Sequence, residues 1–137
     1  MKTVAGGAAA SGDCALSVEV GDTLAYNVKA LSVPKSCGTA TVTLTHTGKM
    51  PKTTMGHNWV LVANSDVQTV ANASLKAGAD NNYVPSDERV IAATTLVGGG
   101  ESATVEVSLA DLDGAYTFMC TFPGHWAVMK GTFTVGS

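Results

Sequence analysis

The strictest constraint on the fold is a two-residue alternation in the segment 39–45. Ala40, Val42 and Leu44 alternate there with four threonines. Because successive side chains of a strand point to opposite faces of a sheet, the pattern predicts a strand with one buried face. Similar short runs recur between turns rich in Gly and Asp. We expect further strands at residues 16–20, 23–28, 59–62, 90–95, 103–107, 116–120 and 132–135.

Seven or eight short strands at this spacing predict an all-β fold, a Greek-key sandwich or barrel of antiparallel strands. One segment departs from the pattern. From Asp66 to about Ala77 the apolar residues recur at helical spacing, and Gly78 can end a helix. The sequence therefore predicts one short helix inserted between strands.

The chain length of 137 residues fits a single domain. The small residues of segment 1–12 predict a flexible tail, which leaves residues 13–137 as the domain. That tail lacks the apolar core of a signal peptide, so we interpret it as the start of a mature exported chain or a former tether to an anchor. A charged fraction of 14% and a net charge of −3 exclude a basic nucleic-acid binder. No apolar run is long enough to span a membrane.

The three cysteines are an odd number, which is informative. Cys14 and Cys37 lie early, whereas Cys120 lies alone in a late and distinctive segment. The simplest account is one disulfide between the early pair and one thiol with a separate role, which indicates an oxidising compartment. Three unrelated buried thiols in a cytosolic protein are the alternative.

The segment 120–129 carries the chemistry of the chain. It contains a thiolate, an imidazole and a thioether in the pattern Cys-x4-His-x3-Met, formed by Cys120, His125 and Met129. Pro123 and Gly124 supply a tight turn that can direct the first two side chains to one point. Two histidines and a cysteine with a weak axial methionine are the donor set of blue-copper electron-transfer sites.

A second histidine is required, and two candidates remain in the sequence. His57 directly precedes a predicted strand, so the strand end can present it to the 120–129 loop. His46 continues the apolar face of the 39–45 strand, where a histidine is more often a core or boundary residue. We therefore favour His57.

These residues bring a known family into view, because the chain resembles the azurins of the cupredoxin fold from about residue 14 to residue 135. The resemblance rests on the early cysteine pair, on Met-Gly-His-Asn-Trp at 55–59, and on Cys-Thr-Phe-Pro-Gly-His at 120–125 with Met-Lys-Gly at 129–131. It implies one copper ion held by His57, Cys120 and His125. Met129 and the carbonyl oxygen of Gly56 are implied as weak axial ligands.

The resemblance implies further roles near the metal. Cys14 and Cys37 form a disulfide, and His46 is not a ligand. Hydrogen bonds between the side chains of Asn58 and Thr121 join the two ligand loops, and the Phe122 amide donates to the Cys120 sulfur. Trp59 is expected in the core rather than in electron transfer, and Trp126 near the surface.

The implied function is that of a small soluble electron carrier that cycles Cu(II) and Cu(I) between periplasmic redox partners, and not that of an enzyme. The expected partners are a cytochrome c and a periplasmic dehydrogenase or reductase, and the expected state is a monomer. The edge of His125 is expected to reach the surface in an apolar docking patch. That patch comprises Met55, Pro123, Trp126, Ala127 and Val128, and Leu24, Met50, Leu75 and Phe122 are further candidates.

Three alternatives compete with this interpretation. Copper oxidases and nitrite reductases need additional histidine-rich sites, which three histidines cannot supply within this chain. Metal storage or delivery with zinc at the same donors is the second alternative, because zinc accepts cysteine and histidine readily. A metal-free adhesion sandwich is the third, and the 120–129 segment disfavours it.

Overall fold

Two β-sheets face each other in the structure, a computed structural model that describes residues 14–136. The predicted tail of residues 1–12 lies outside the described residues. The strands are β1 (Ala15–Val20), β2 (Ala30–Pro34), β3 (Thr39–His46), β4 (Val60–Val62), β5 (Ala92–Ala93), β6 (Ser102–Ser108), β7 (Gly114–Met119) and β8 (Lys130–Gly136). The helices are α1 (Lys52–Met55) and α2 (Val67–Ala77), and single 3-10 turns cover Lys35–Cys37, Asn64–Asp66 and Ala79–Asn81.

One sheet has the strand order β1-β3-β6 and the other the order β2-β8-β7-β4-β5. The predicted all-β sandwich is thus confirmed, but the expectation of purely antiparallel pairing is wrong. β1 pairs with β3 and β2 pairs with β8 in parallel, because the chain changes sheet between consecutive strands. The remaining neighbours are antiparallel.

The prediction of a strand at residues 23–28 is wrong. Only the isolated bridge between Val20 and Tyr26 forms there, and the side chain of Asn27 accepts the hydrogen bond of the Glu19 amide. Leu24 is 40% exposed, so the alternation that suggested a buried face fails at its first apolar residue. The strand predicted at 90–95 shrinks to Ala92–Ala93.

The strand β2 was not predicted from the sequence. Its alternating apolar residues, Leu31 and Val33, fill only five positions, and the strand ends in Pro34. It pairs only with β8, at the edge of its sheet. Proline is tolerated on edge strands because its missing N–H faces no neighbouring strand.

The core fills the space between the sheets. Trp59 is fully buried, with the rings of Phe118 and Phe133 both at a centroid distance of 5.7 Å. Trp59 is therefore a core residue, as predicted, and its indole N–H has no hydrogen-bond partner within the described residues.

The predicted helix is confirmed as α2, which ends at Gly78 with a φ of +78°. Only glycine adopts this backbone conformation without strain. α2 buries Val70 and Ala71 against Val60 and Met119 in a second apolar cluster. The four-residue helix α1 was not predicted. No helix among residues 14–136 is long and apolar enough to cross a membrane.

The two ends of the sandwich differ in what they carry. At the lower end, Cys14 and Cys37 form the predicted disulfide, with their Cα atoms 5.8 Å apart. At the upper end β3 and β7 finish, while β4 and β8 begin. The segments that link these four strands meet there, so the fold brings the chemically distinctive residues together at the upper end.

Asp22 stabilises the loop that follows β3 at the upper end. Its carboxylate accepts hydrogen bonds from the backbone amides of Lys49 and Met50, at 3.0 Å each. These two hydrogen bonds hold the pKa of Asp22 below its ordinary value of 3.8, and the bond from Lys49 has the larger effect. The charged form therefore stabilises the folded state.

We expect Asp22→Asn to lower the melting temperature at about pH 7, with the difference shrinking towards about pH 2.5. The folded-state pKa is lowered, so the stabilisation is present above the unfolded pKa and is lost as the pH falls through the folded pKa. Thermal unfolding across this range measures it, with Asp111→Asn in the lower-end turn as the control. A melting difference that does not change with pH would contradict the role of the carboxylate.

Candidate metal centre

Three side chains that can bind a metal meet at the upper end of the sandwich. His57 precedes β4, Cys120 follows β7, and His125 lies in the loop that leads to β8. Their donor atoms lie within 4.8 Å of one another, and all three residues are buried. The Nδ1 atoms of His57 and His125 lie 3.8 Å and 3.5 Å from the Cys120 sulfur.

The loop from Cys120 to Met129 is closed by backbone hydrogen bonds. The Cys120 amide donates to the Met129 carbonyl at 3.1 Å, and the Met129 amide donates to the His125 carbonyl at 2.9 Å. Gly124 has a φ of +83°, which the tight turn requires. Met129 is fully buried beside Cys120. The Gly56 carbonyl oxygen lies 4.0 Å from the Cys120 sulfur, so the structure gathers all five predicted ligand residues at one place.

A hydrogen bond to the ring nitrogen that faces away from Cys120 fixes the orientation of His57. Its Nε2 lies 2.7 Å from the carbonyl oxygen of Gly21. A carbonyl only accepts, so Nε2 carries the proton and Nδ1 presents its lone pair towards Cys120. Such a hydrogen bond on the second ring nitrogen is typical of metal-binding histidines, because it fixes both tautomer and ring orientation.

His46 lies close to the site but outside the donor group. Its ring stacks on that of His57, with centroids 5.2 Å apart. Its Nδ1 accepts the Gly48 amide at 3.0 Å, and its Nε2 donates to the Met55 carbonyl at 3.0 Å. Both ring nitrogens are occupied by backbone groups, so His46 has no lone pair available for a metal.

Burial sets the protonation of the three donors. It raises the pKa of the Cys120 thiol to about 12, although the backbone amides of Asn58 and Phe122 donate to the sulfur and oppose the rise. Burial also lowers the pKa of His57 to about 4 and that of His125 below its ordinary value. At neutral pH both imidazoles are therefore neutral, and the thiolate needs a bound cation to offset its desolvation.

The donor set fits copper. A metal ion bonded to sulfur at about 2.3 Å and to nitrogen at about 2.0 Å would require these two atoms to lie within about 4.3 Å of each other. The observed separations of 3.5 and 3.8 Å meet this requirement. Thiolate and thioether donors suit Cu(I), while imidazoles also suit Cu(II). The residues can thus hold copper in both oxidation states.

Asn58 and Thr121 join the two segments that carry His57 and Cys120. The Asn58 side chain accepts the Thr121 amide at 2.8 Å and donates to the Thr121 hydroxyl at 2.8 Å. It also donates to the carbonyl of Asn82, while the Thr121 hydroxyl donates to the carbonyl of Tyr83. Asn82 and Tyr83 adopt positive φ values of 58° and 55°, so a left-handed turn presents both carbonyls to the site.

Sequence reasoning missed two contributors in the segment 21–26. Gly21 acts through its backbone carbonyl, which no side-chain signature can reveal. Tyr26 is buried, and its hydroxyl donates to the carbonyl of Asn58 at 2.7 Å. Together they hold the His57–Asn58 segment at two points. An aromatic residue in a run with strand-like alternation gave no signal beyond core packing.

The residues predicted to form a docking patch lie in the loop of His125 and, in the case of Met55, at the end of α1; His125 itself is 6% exposed. Ala127 and Val128 are exposed, whereas Met55, Pro123 and Trp126 are half-buried. The further candidates Leu24 and Leu75 are also exposed, Met50 and Phe122 half-buried.

Trp126, expected near the surface, is half-buried. It packs against the apolar cluster beneath α2, and the Nζ atom of Lys130 lies 5.3 Å from the centre of its ring. Trp126 thus connects the loop 120–129 to α2.

We expect Tyr26→Phe to lower the free energy of unfolding of the metal-free protein by about 1–3 kcal/mol, because the buried Asn58 carbonyl loses this donor. Tyr116→Phe is the matched control. Its hydroxyl accepts the Asp113 amide at an exposed turn, where water can replace it. We expect that loss to stay below about 1 kcal/mol. Urea unfolding measures the free energy of unfolding of both variants. Equal losses would contradict the larger stabilisation assigned to the buried hydrogen bond of Tyr26.

Comparison with known proteins agrees with this geometry. The family described as copper binding proteins, plastocyanin/azurin family, matches residues 12–136. Azurin iso-2 of Methylomonas sp. (strain J) is 51% identical over 122 residues, which cover 87% of this chain and 95% of that protein. The azurin of Alcaligenes faecalis is 48% identical, over 90% of this chain and 99% of its own.

A solved structure is similar as well. The azurin Az-iso2 from the obligate methylotroph Methylomonas sp. strain J, described in a study of its flexible loop, gives a TM-score of 0.87 at 46% identity. The match covers 92% of this chain and 100% of that chain. With the matched family model and these relatives, the chain belongs to the plastocyanin/azurin family of copper-binding proteins.

Proposed function

We propose that His57, Cys120 and His125 would hold the single copper ion of this blue-copper electron carrier, with Met129 and the Gly56 carbonyl as further, weaker ligands. The observation that supports the assignment is the buried group of one sulfur and two Nδ1 atoms. Membership of the family makes the protein an electron carrier and not an enzyme. The bound copper supplies the one-electron couple between Cu(II) and Cu(I).

The protein's own residues control that couple by holding the donors in place. The Gly21 carbonyl orients His57, and the amides of Asn58 and Phe122 withdraw charge from the sulfur. Withdrawing charge from a thiolate ligand favours the reduced metal and so raises the potential. The hydrogen bonds of Asn58 with Thr121 limit the movement of both segments, which keeps the donors close to one arrangement in both oxidation states.

Two alternatives differ from the carrier in what they require, and the contacts of His46 bear on the first of them. An oxidase or nitrite reductase needs further histidine sites, and His46 has both ring nitrogens engaged by Gly48 and Met55. Zinc accepts the same three donors, but it has no redox chemistry. Reversible one-electron cycling separates the carrier from a zinc storage protein.

The partners of the carrier are redox proteins, and we propose that they dock on the patch around His125. Val128 is 63% exposed there, and such apolar surface suits small and short-lived encounters. A cytochrome c and a dehydrogenase or reductase are the proposed partners, and a monomer is the proposed state. The disulfide between Cys14 and Cys37 supports an oxidising compartment, and we propose the periplasm, with the tail as a former tether.

We expect the protein loaded with Cu(II) to show an intense blue absorption band that ascorbate bleaches and reoxidation restores. His125→Gly should bind copper with an altered spectrum, because a donor is missing, and added imidazole should restore the parent band. His46→Gln is the matched control, a buried histidine whose loss should leave the blue band in place.

Visible absorption of the three proteins measures both effects. If the unsubstituted protein holds copper but is colourless, Cys120 is not a ligand. If His125→Gly shows the spectrum of the unsubstituted protein without added imidazole, His125 is not a ligand.

A further inference from the structure

The turn that carries His125 is only partly fixed by its backbone. The His125 amide donates to the carbonyl of Phe122 at 3.0 Å, and the His125 carbonyl accepts the amides of Val128 and Met129 at 3.2 and 2.9 Å. All of these hydrogen bonds join residues of the loop 120–129 to each other. They therefore shape the turn, but they do not attach it to the sandwich.

The side chains of the turn, residues 123–128, offer few connections to the rest of the domain. Three of these residues are exposed, namely Gly124, Ala127 and Val128. His125 is buried, but its Nδ1 atom is directed to the metal centre, 3.5 Å from the Cys120 sulfur. The large side chain of Trp126 is half-buried and packs elsewhere, against the second apolar cluster beneath α2.

The second apolar cluster also contains the residue that precedes Cys120. Met119 is a fully buried member of the cluster, and Trp126, which directly follows His125, packs against the same cluster. The direct neighbours of both ligands therefore belong to one packed apolar group. Because closely packed side chains have few alternative positions, this group relates the position of His125 to that of Cys120.

Lys130 adds a second contact to the indole of Trp126. Its Nζ atom lies over the ring, 5.3 Å from the ring centre. A cation over an aromatic face is attracted to the ring, so this contact favours the position that the packing defines. Lys130 is also paired with Met119 in the ladder between β7 and β8. Both contacts of the indole thus lead back to the start of the loop.

We infer that Trp126 is a positioning residue of the metal centre. By packing on the second apolar cluster, it holds the turn where Nδ1 of His125 lies 3.5 Å from the Cys120 sulfur, before a metal binds. The inference rests on the proposed function, because it names a residue that supports the same ligands. Core packing alone would stabilise the fold without acting on the ligands, so two readouts are needed.

Hydrogen exchange in the metal-free protein, followed by NMR, measures how firmly the turn is held. In Trp126→Ala we expect the Met129 amide, which donates to the His125 carbonyl, to exchange about tenfold faster relative to the amides of β3. Val90→Ala is the matched control, because Val90 packs against the same cluster from outside the loop. It should leave this ratio of rates within about twofold of that in the unsubstituted protein.

Copper retention is the second readout. The reduced copper protein is mixed with excess bathocuproine disulfonate, a chelator of Cu(I), and the coloured chelate is followed over time. We expect Trp126→Ala to lose copper about tenfold faster than the unsubstituted protein. Trp126→Phe keeps an aromatic ring on the cluster and should stay within about threefold, and Val90→Ala within about twofold.

The inference requires both changes in Trp126→Ala, and either change alone would overturn it. Equal effects of Val90→Ala and Trp126→Ala would also overturn it, because both would then reflect lost packing. Copper loss from Trp126→Phe as fast as that from Trp126→Ala would exclude packing of the ring as the cause. None of these results affects the proposed function, which fails only if the unsubstituted protein has no blue band or one that does not cycle.

Discussion

The site depends on the hydrogen bonds between Asn58 and Thr121. Each of these residues directly follows a proposed ligand, and the two ligands lie 63 residues apart in the chain. A pair of bonds at 2.8 Å therefore fixes the distance between two segments that strand pairing alone positions less tightly. The same asparagine and threonine also donate hydrogen bonds to the carbonyls of Asn82 and Tyr83. A third segment of the chain therefore helps to hold these two residues in place. Without these hydrogen bonds, only the pairing of β4 with β7 would fix the Cys120 sulfur relative to the imidazole of His57.

The parts of the molecule that the sequence predicts are those whose information is local. Cys120, His125 and Met129 lie in one ten-residue loop, so their spacing alone indicates a metal site, and the 39–45 alternation indicates β3. The role of Gly21 cannot be predicted in this way, because it is a backbone carbonyl that meets His57 only through the fold. Tyr26 and β2 were missed for the same physical reason: a buried hydroxyl bond and a five-residue edge strand depend on partners far along the chain.

Desolvation shapes the chemistry of the site. The burial that raises the pKa of Cys120 to about 12 and lowers that of His57 to about 4 also keeps water from the donors. Without a cation, the lowest-energy state is a thiol between two neutral imidazoles. A copper ion offsets the charge of the thiolate, and the amides of Asn58 and Phe122 share that charge. Because these groups are held by the fold, little rearrangement is needed when the metal charge changes.

An electron carrier must shield its metal from water and still let a partner come close to it. The position of His125, just beneath the surface of the upper end, meets both needs. His125 is only 6% exposed, and the exposed residues that follow it in the loop, Ala127 and Val128, are apolar. A charged side chain at their place would have to be desolvated at every encounter with a partner, which costs free energy. Because these residues carry no charge, a partner that docks on the proposed patch would approach His125 at little desolvation cost.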